Sequence, residues 1–177
     1  MFLVTLLVAA LMLVCFTLGY RVEYSLTRGW CKLMIGAARV LCGLQYRVLG
    51  AERFPRQAVV VLAKHQSAWE TIFLNAYCPR PVFVIKRELV LVPFFGWGLA
   101  MIKPISIDRK AGRDALNQVI EQGTQRLRDG HWVVIFPEGT RVAPGSRKRY
   151  AIGGATLAVQ AAAPVVPVAH NAGYFWG

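Results

Sequence analysis

Five short apolar runs, separated by stretches of helical periodicity, constrain the fold of this chain more than any other feature. The runs are Ala58–Ala63, Val82–Lys86, Pro104–Ile107, His131–Phe136 and Val165–Ala169, and each predicts a buried strand. Between them, Ala68–Cys78, Phe94–Met101, Ala111–Asp129 and Gly154–Ala162 read as helices. The third is the clearest: Leu116, Val119, Ile120 and Leu127 form an apolar face with charges opposite. Such alternation predicts an α/β domain with a largely parallel or mixed central sheet flanked by helices. No internal repeat or long linker interrupts residues 45–177, so they read as one domain. In open α/β sheets, sites gather in the loops beyond the carboxyl ends of the strands.

Residues 1–44 follow a different pattern. Met1–Tyr20 carries no charged residue, and as a helix it would be roughly 30 Å long, about one bilayer core. A cleaved leader calls for a basic residue before the apolar run and a small-x-small site after it. Neither is evident, which favours a retained membrane segment. Arg21, Arg28, Lys32 and Arg39 follow it, so the positive-inside rule places the rest of the chain on the cytoplasmic side of an inner membrane. Trp30–Leu44 reads as a second membrane-associated helix, or alternatively as a buried amphipathic helix of the domain. The formal net charge of +12, from 21 basic and 9 acidic residues, then suits an anionic membrane surface and an anionic substrate. Nucleic acid is not an expected partner.

Several chemistries find no support. Cys15, Cys31, Cys42 and Cys78 form no CxxC pair and read as free thiols filling apolar space. His65, His131 and His170 are far apart and show no metal-ligand spacing, so neither a metal nor another cofactor is expected. "GWGLAM" lacks the third glycine of a dinucleotide fingerprint, and GxxxxGK[ST] and GxSxG are absent.

Polar clusters lie just past four of the strands: His65, Asp108–Arg109, Pro137–Arg141, and the end of "VVPVAHNAG" at Gly173. The first allows two readings. In "KHQSAWE", Ser67 and Glu70 have the spacing of a capping box, with Glu70 reaching back to the Ser67 N–H. In one regular helix, residues five apart do not face each other. If His65 lies in the loop before the cap, it can fold back onto Glu70. A carboxylate on one imidazole nitrogen would fix the tautomer and leave the other nitrogen as a base. Glu70 could then serve both roles, one oxygen for each.

"KHQSAWE", "KPISIDR", "FPEGTR" and "VVPVAHNAG", in that order, resemble the four signature blocks of the glycerolipid acyltransferases. They are most similar to the bacterial 1-acylglycerol-3-phosphate (lysophosphatidic acid) acyltransferases. The resemblance implies an enzyme of phospholipid synthesis that transfers an acyl group from acyl-CoA or acyl carrier protein to lysophosphatidic acid, giving phosphatidate. It casts His65 as general base, supported by Glu70, where the family usually has aspartate. Arg109 and Arg141 would hold the phosphate, with Lys103 a weaker candidate. Glu138 would orient an arginine or the glycerol hydroxyl, and Gly139 and Thr140 would offer hydrogen-bond donors. Family members generally continue past the fourth block, so the chain reads as incomplete at Gly177. Two alternatives differ in their demands: acyl transfer to another acceptor, such as glycerol 3-phosphate or another lyso-lipid, and a non-catalytic basic membrane-binding protein. If Glu70 is both cap and partner, Glu70→Gln is expected to keep stability nearly unchanged while lowering turnover.

Overall fold

A computed structural model of the chain describes residues 19–93 and 95–176. Its centre is a five-stranded sheet of β1 (Val60–Ala63), β2 (Pro81–Lys86), β3 (Ile105–Ile107), β4 (Trp132–Ile135) and β5 (Val165–Val168). The strand order is β3-β2-β4-β1-β5, and all pairings are parallel. The expected runs are therefore strands, trimmed by a residue or two at some ends. Their near-continuous apolar character follows from helices covering both faces. Pro167 lies in edge strand β5, where no further strand demands its missing N–H.

The crossover helices are α2 (Trp69–Tyr77), α3 (Phe95–Met101), α4 (Arg113–Arg128) and α5 (Gly153–Gln160). On one face, Val60, Val82, Val133 and Ile135 pack with Val119 and Leu127 of α4 and Leu157 of α5. On the other, Val59, Val61, Phe83 and Val134 pack with Leu74 of α2 and with Cys78. Burial pushes the Cys78 thiol up to about 12, although Arg28 opposes the shift, so it behaves as a small apolar filler.

Ahead of the sheet, α1 (Tyr20–Cys42) packs against α2 and buries Cys31, Met34 and Ala38. The expected helix at Trp30–Leu44 is thus the second half of one longer helix. Its continuity through the polar stretch before Trp30 has a local cause. Ser25 Oγ donates to the Arg21 carbonyl at 2.8 Å, and Thr27 Oγ1 donates to the Glu23 carbonyl at 3.0 Å, so the hydroxyls are satisfied within the helix. Arg28 Nε also donates to the Ala76 carbonyl at 3.0 Å, tying α1 to α2. α1 ends at its C-cap, Gly43. No helix among the described residues is long and apolar enough to cross a membrane. Almost all of the Met1–Tyr20 segment, expected to be membrane-embedded, lies outside the described residues.

Close approach of α4 and α5 depends on Gly123. A Cβ there would lie 2.5 Å from Leu157 Cδ2, and Leu157 is fully buried at 0% exposure. Gly123→Val should therefore destabilise the protein by about 1–3 kcal/mol through overpacking. A lower urea midpoint with an unchanged slope would register this effect.

Candidate active site

Because the sheet is parallel, every strand delivers its following loop to one edge. Leu62 pairs with Ile135 in the β1–β4 register, and His65 and Glu138 each lie three residues further along. Two of the polar clusters read from the sequence therefore leave the sheet side by side.

The first is the turn into α2, and both readings of "KHQSAWE" hold there together. Ser67 Oγ accepts the Trp69 N–H at 3.0 Å, while Glu70 accepts the Ser67 N–H, giving reciprocal capping. His65 lies before this cap, outside the helix, and folds back so that Nδ1 is 2.8 Å from Glu70 Oε1. The two roles are not divided one oxygen each. Oε1 takes His65 and the N–H groups of Gln66 and Ser67, both at 2.9 Å. Oε2 takes the Ser67 hydroxyl at 2.6 Å and the Ser67 N–H at 3.0 Å.

Glu70 is buried to 1% exposure. Burial alone would raise its pKa, but the hydrogen bonds from His65, Ser67 and Gln66 outweigh it and hold the carboxyl at about 2. An ionised carboxylate accepts only, so His65 Nδ1 carries the proton and donates. In the neutral ring, Nε2 is then the acceptor. Phe136, just past β4, stacks on the imidazole with centroids 4.1 Å apart and planes 13° apart.

The second cluster begins at Phe136. A turn closed by Gly139 N–H to the Phe136 carbonyl at 3.0 Å carries Pro137 and Glu138, with Gly139 at φ 68°. From the loop after β3, Arg109 Nη1 donates to the Gly139 carbonyl, bringing the "KPISIDR" and "FPEGTR" blocks together. Thr140 and Arg141 are exposed. The N–H of Val142, next to Arg141, donates to the His65 carbonyl at 2.8 Å. Arg141 makes no hydrogen bond or ion pair among the described residues.

Glu138 is not paired with an arginine, the first of its two expected partners. It is 3% exposed, neither of its carboxylate oxygens has a hydrogen-bond partner, and the cation beside it is Lys64, with Nζ 3.8 Å from Oε1. It orients no arginine here. Lys103 departs from expectation, because it precedes β3 and so lies at the amino edge of the sheet. Its ammonium sits over the Tyr20 ring, 5.3 Å from the centroid. A residue at that edge cannot share an anion with Arg109 and Arg141.

Sequence reasoning passed over two cations at the carboxyl edge. Arg87 directly follows β2 and bonds Asp108 Oδ2 at 3.2 Å, and the strand-end rule applied to "VFVIK" would have found it. Lys64 stood within "KHQSAWE" itself. His170, which was not expected to take part, fastens the ends of β5 and β1. Its Nε2 donates to the Lys64 carbonyl at 2.6 Å and its Nδ1 accepts the Ala172 N–H at 3.3 Å. Among the described residues, no three His, Cys, Asp or Glu side chains cluster as metal ligands. The site thus combines an imidazole able to accept a proton at Nε2 with Arg109 and Arg141, cations suited to an anionic group.

Residues 45–171 match the model of the Acyltransferase family. The 1-acyl-sn-glycerol-3-phosphate acyltransferase of Pseudomonas aeruginosa is 48% identical over 160 residues, covering 90% of this chain and 62% of its own. The human 1-acyl-sn-glycerol-3-phosphate acyltransferase alpha is 36% identical over 139 residues, 77% of this chain and 49% of its own. The chain therefore spans between 49% and 62% of the length of these curated relatives. The crystal structure of the 1-acyl-sn-glycerophosphate (LPA) acyltransferase from Thermotoga maritima is similar in fold, with a TM-score of 0.63. It is 20% identical and the match covers 93% of this chain and 72% of that one.

The five donor contacts revise what Glu70→Gln should do. An amide would turn an N–H₂ toward the Ser67 N–H, so a loss of about 1–3 kcal/mol at neutral pH is expected instead of unchanged stability. The pH dependence has a definite sign. Because folding lowers the Glu70 pKa from 4.5 to about 2, its stabilisation is full above pH 4.5 and is lost as pH falls through about 2. Urea unfolding between those limits should show a steeper loss in the parent than in Glu70→Gln.

Proposed function

The chain belongs to the acyltransferase family, and from that premise we propose that it transfers an acyl group from an acyl thioester to the sn-2 hydroxyl of 1-acylglycerol 3-phosphate. The product is phosphatidate. The observation that carries the reading is the 2.8 Å His65–Glu70 bond at the strand edge to which Arg109 and Arg141 are also delivered. The activities for which the Pseudomonas aeruginosa and human relatives are named support the choice of acceptor.

In this reading His65 Nε2 accepts the hydroxyl proton as the acceptor oxygen attacks the thioester carbonyl. The C–S bond breaks as the new C–O bond is completed, and the thiolate leaves with the proton returned by the imidazolium. The anionic Glu70 stabilises that imidazolium through Nδ1 and keeps the ring in the productive tautomer. The acceptor hydroxyl is the nucleophile, so no acyl-enzyme forms. Arg141 offers a guanidinium to the phosphate. Arg109 contributes positive charge and, through the Gly139 carbonyl, holds the loop that presents Arg141. Thr140 offers a hydroxyl donor at the same loop, whereas the Gly139 N–H is taken by the Phe136 carbonyl.

The donor is acyl-CoA or acyl carrier protein, both anionic and suited to a chain with a net charge of +12. An inner-membrane location, with this domain on the cytoplasmic side, fits the uncharged Met1–Tyr20 segment and the basic residues after it. An acyl-transfer assay with both donors, against lysophosphatidic acid, glycerol 3-phosphate and an uncharged lyso-lipid, tests the proposal. Preference for another acceptor would replace the substrate assignment, and transfer to none would point to a basic membrane-binding protein.

Two variants sharpen the test. His65→Ala should lower kcat by at least about 100-fold in a folded protein, the lower end of the effect of a positioned base. Arg141→Ala should reduce kcat/KM for lysophosphatidic acid by at least about tenfold, the loss of one charge-assisted hydrogen bond. Its effect on an uncharged acceptor should be much smaller. Equal losses on the two acceptors would remove Arg141 from the phosphate site.

A further inference from the structure

We infer that Lys64 is a positioning residue of the acceptor site, whose ammonium holds the buried Glu138 carboxylate and the 136–152 loop against His65. The inference rests on the acyl-transfer reading above, which gives Lys64 no part.

Lys64 is fixed from one side and does its holding on the other. Its N–H donates to the Val168 carbonyl at 3.3 Å, and its carbonyl accepts His170 Nε2 at 2.6 Å. Both contacts come from the β5 end, so the backbone has little freedom. The side chain crosses toward the loop after β4. There Nζ lies 3.8 Å from Glu138 Oε1 and 3.4 Å from the Ser146 carbonyl, to which it donates.

Glu138 shows why this ammonium matters. A carboxylate removed from water is costly unless a hydrogen bond or an opposite charge compensates it. Neither Glu138 oxygen has a hydrogen-bond partner, and its side chain is 0% exposed, whereas that of Lys64 is 25% exposed. The Lys64 charge is therefore the compensating element, and the pair is a defined contact between the loops after β1 and β4.

Besides the Arg109 bond to the Gly139 carbonyl, the loop has two further backbone ties. Ala151 N–H donates to the Pro137 carbonyl at 2.8 Å and closes its base, and Val142 N–H donates to the His65 carbonyl at 2.8 Å. Glu138 and Ser146 flank Arg141, so Lys64 grips the loop on both sides of the residue proposed to hold phosphate. The His65–Glu70 bond involves none of these contacts. Loosening Lys64 should accordingly disturb acceptor binding more than proton transfer.

The test uses the whole chain with Lys64→Met and Lys64→Arg. Arg147, Lys148 and Arg149 lie in the held loop and are exposed, so trypsin under native conditions reports its opening without reference to activity. Lys64→Met should be cut there at least about fivefold faster than the parent, with Lys64→Arg close to the parent. Steady-state kinetics should show the acceptor KM raised about tenfold in Lys64→Met, with kcat within about twofold and Lys64→Arg restoring most of the loss; these sizes suit one contact to a charged group. If Lys64→Met does not fold, the double variant Lys64→Met/Glu138→Gln strands no buried charge and carries the same trypsin comparison. Equal trypsin rates, or a fall in kcat with acceptor KM unchanged, would overturn the inference. Absence of acyl transfer by the parent would instead defeat the proposed function, while the trypsin rates still decide whether Lys64 holds the loop.

Discussion

Parallel pairing of β1 with β4 is the constraint on which the site depends. Reversing either strand would send His65 and Glu138 to opposite edges of the sheet. With both strands parallel and Leu62 opposite Ile135, their loops emerge as neighbours and can bond through the His65 carbonyl and the Val142 N–H. β3 sits two places from β4, yet Arg109 still reaches the Gly139 carbonyl. The order of strands in space, rather than in sequence, brings together blocks separated by tens of residues. Helices on both faces make this order stable, since each covers apolar surface that an open parallel sheet would leave in water.

Glu70 couples folding to chemistry at this edge. A buried carboxylate is unfavourable in isolation, but five donor contacts converge on this one, from two backbone N–H groups, a hydroxyl and an imidazole. The contacts that begin α2 also keep the carboxylate ionised beside His65. Capping and the hold on His65 are one interaction network, so a change at Glu70 is felt by both. Glu70 meets His65 because the imidazole precedes the helix and the intervening backbone bends toward the carboxylate.

Much of this was legible in the sequence, for identifiable reasons. Short apolar runs alternating with periodic helices read as an α/β sheet because burial on both faces leaves a continuous apolar signature. The capping spacing of Ser67 and Glu70 read correctly because it is local. What escaped depended on distance in sequence. Lys64 and Glu138 meet only through the β1–β4 register, and nothing near either residue announces the other. Lys103 and Arg109 share one block yet leave the sheet at opposite edges, because the first precedes β3 and the second follows it; the predicted strand at Pro104–Ile107 already implied this. The continuity of α1 was hidden by the polar residues before Trp30, whose hydroxyls are satisfied by the turn behind them.

The stacking of Phe136 on His65 has a geometric consequence for anything that approaches the site. An imidazole lone pair lies in the plane of its ring, and a phenyl ring 4.1 Å away and 13° from parallel fixes that plane. One face of the imidazole is thereby closed, and the Nε2 lone pair is held in a plane nearly parallel to the phenyl ring. A hydroxyl that donates there has to align with that plane, so the pair of rings sets its angle of approach. Phe136 also begins the loop that carries Arg141, so one short segment sets both the plane of the imidazole and the place of that cation. Discrimination among hydroxyl-bearing molecules can then arise from trajectory as well as from affinity.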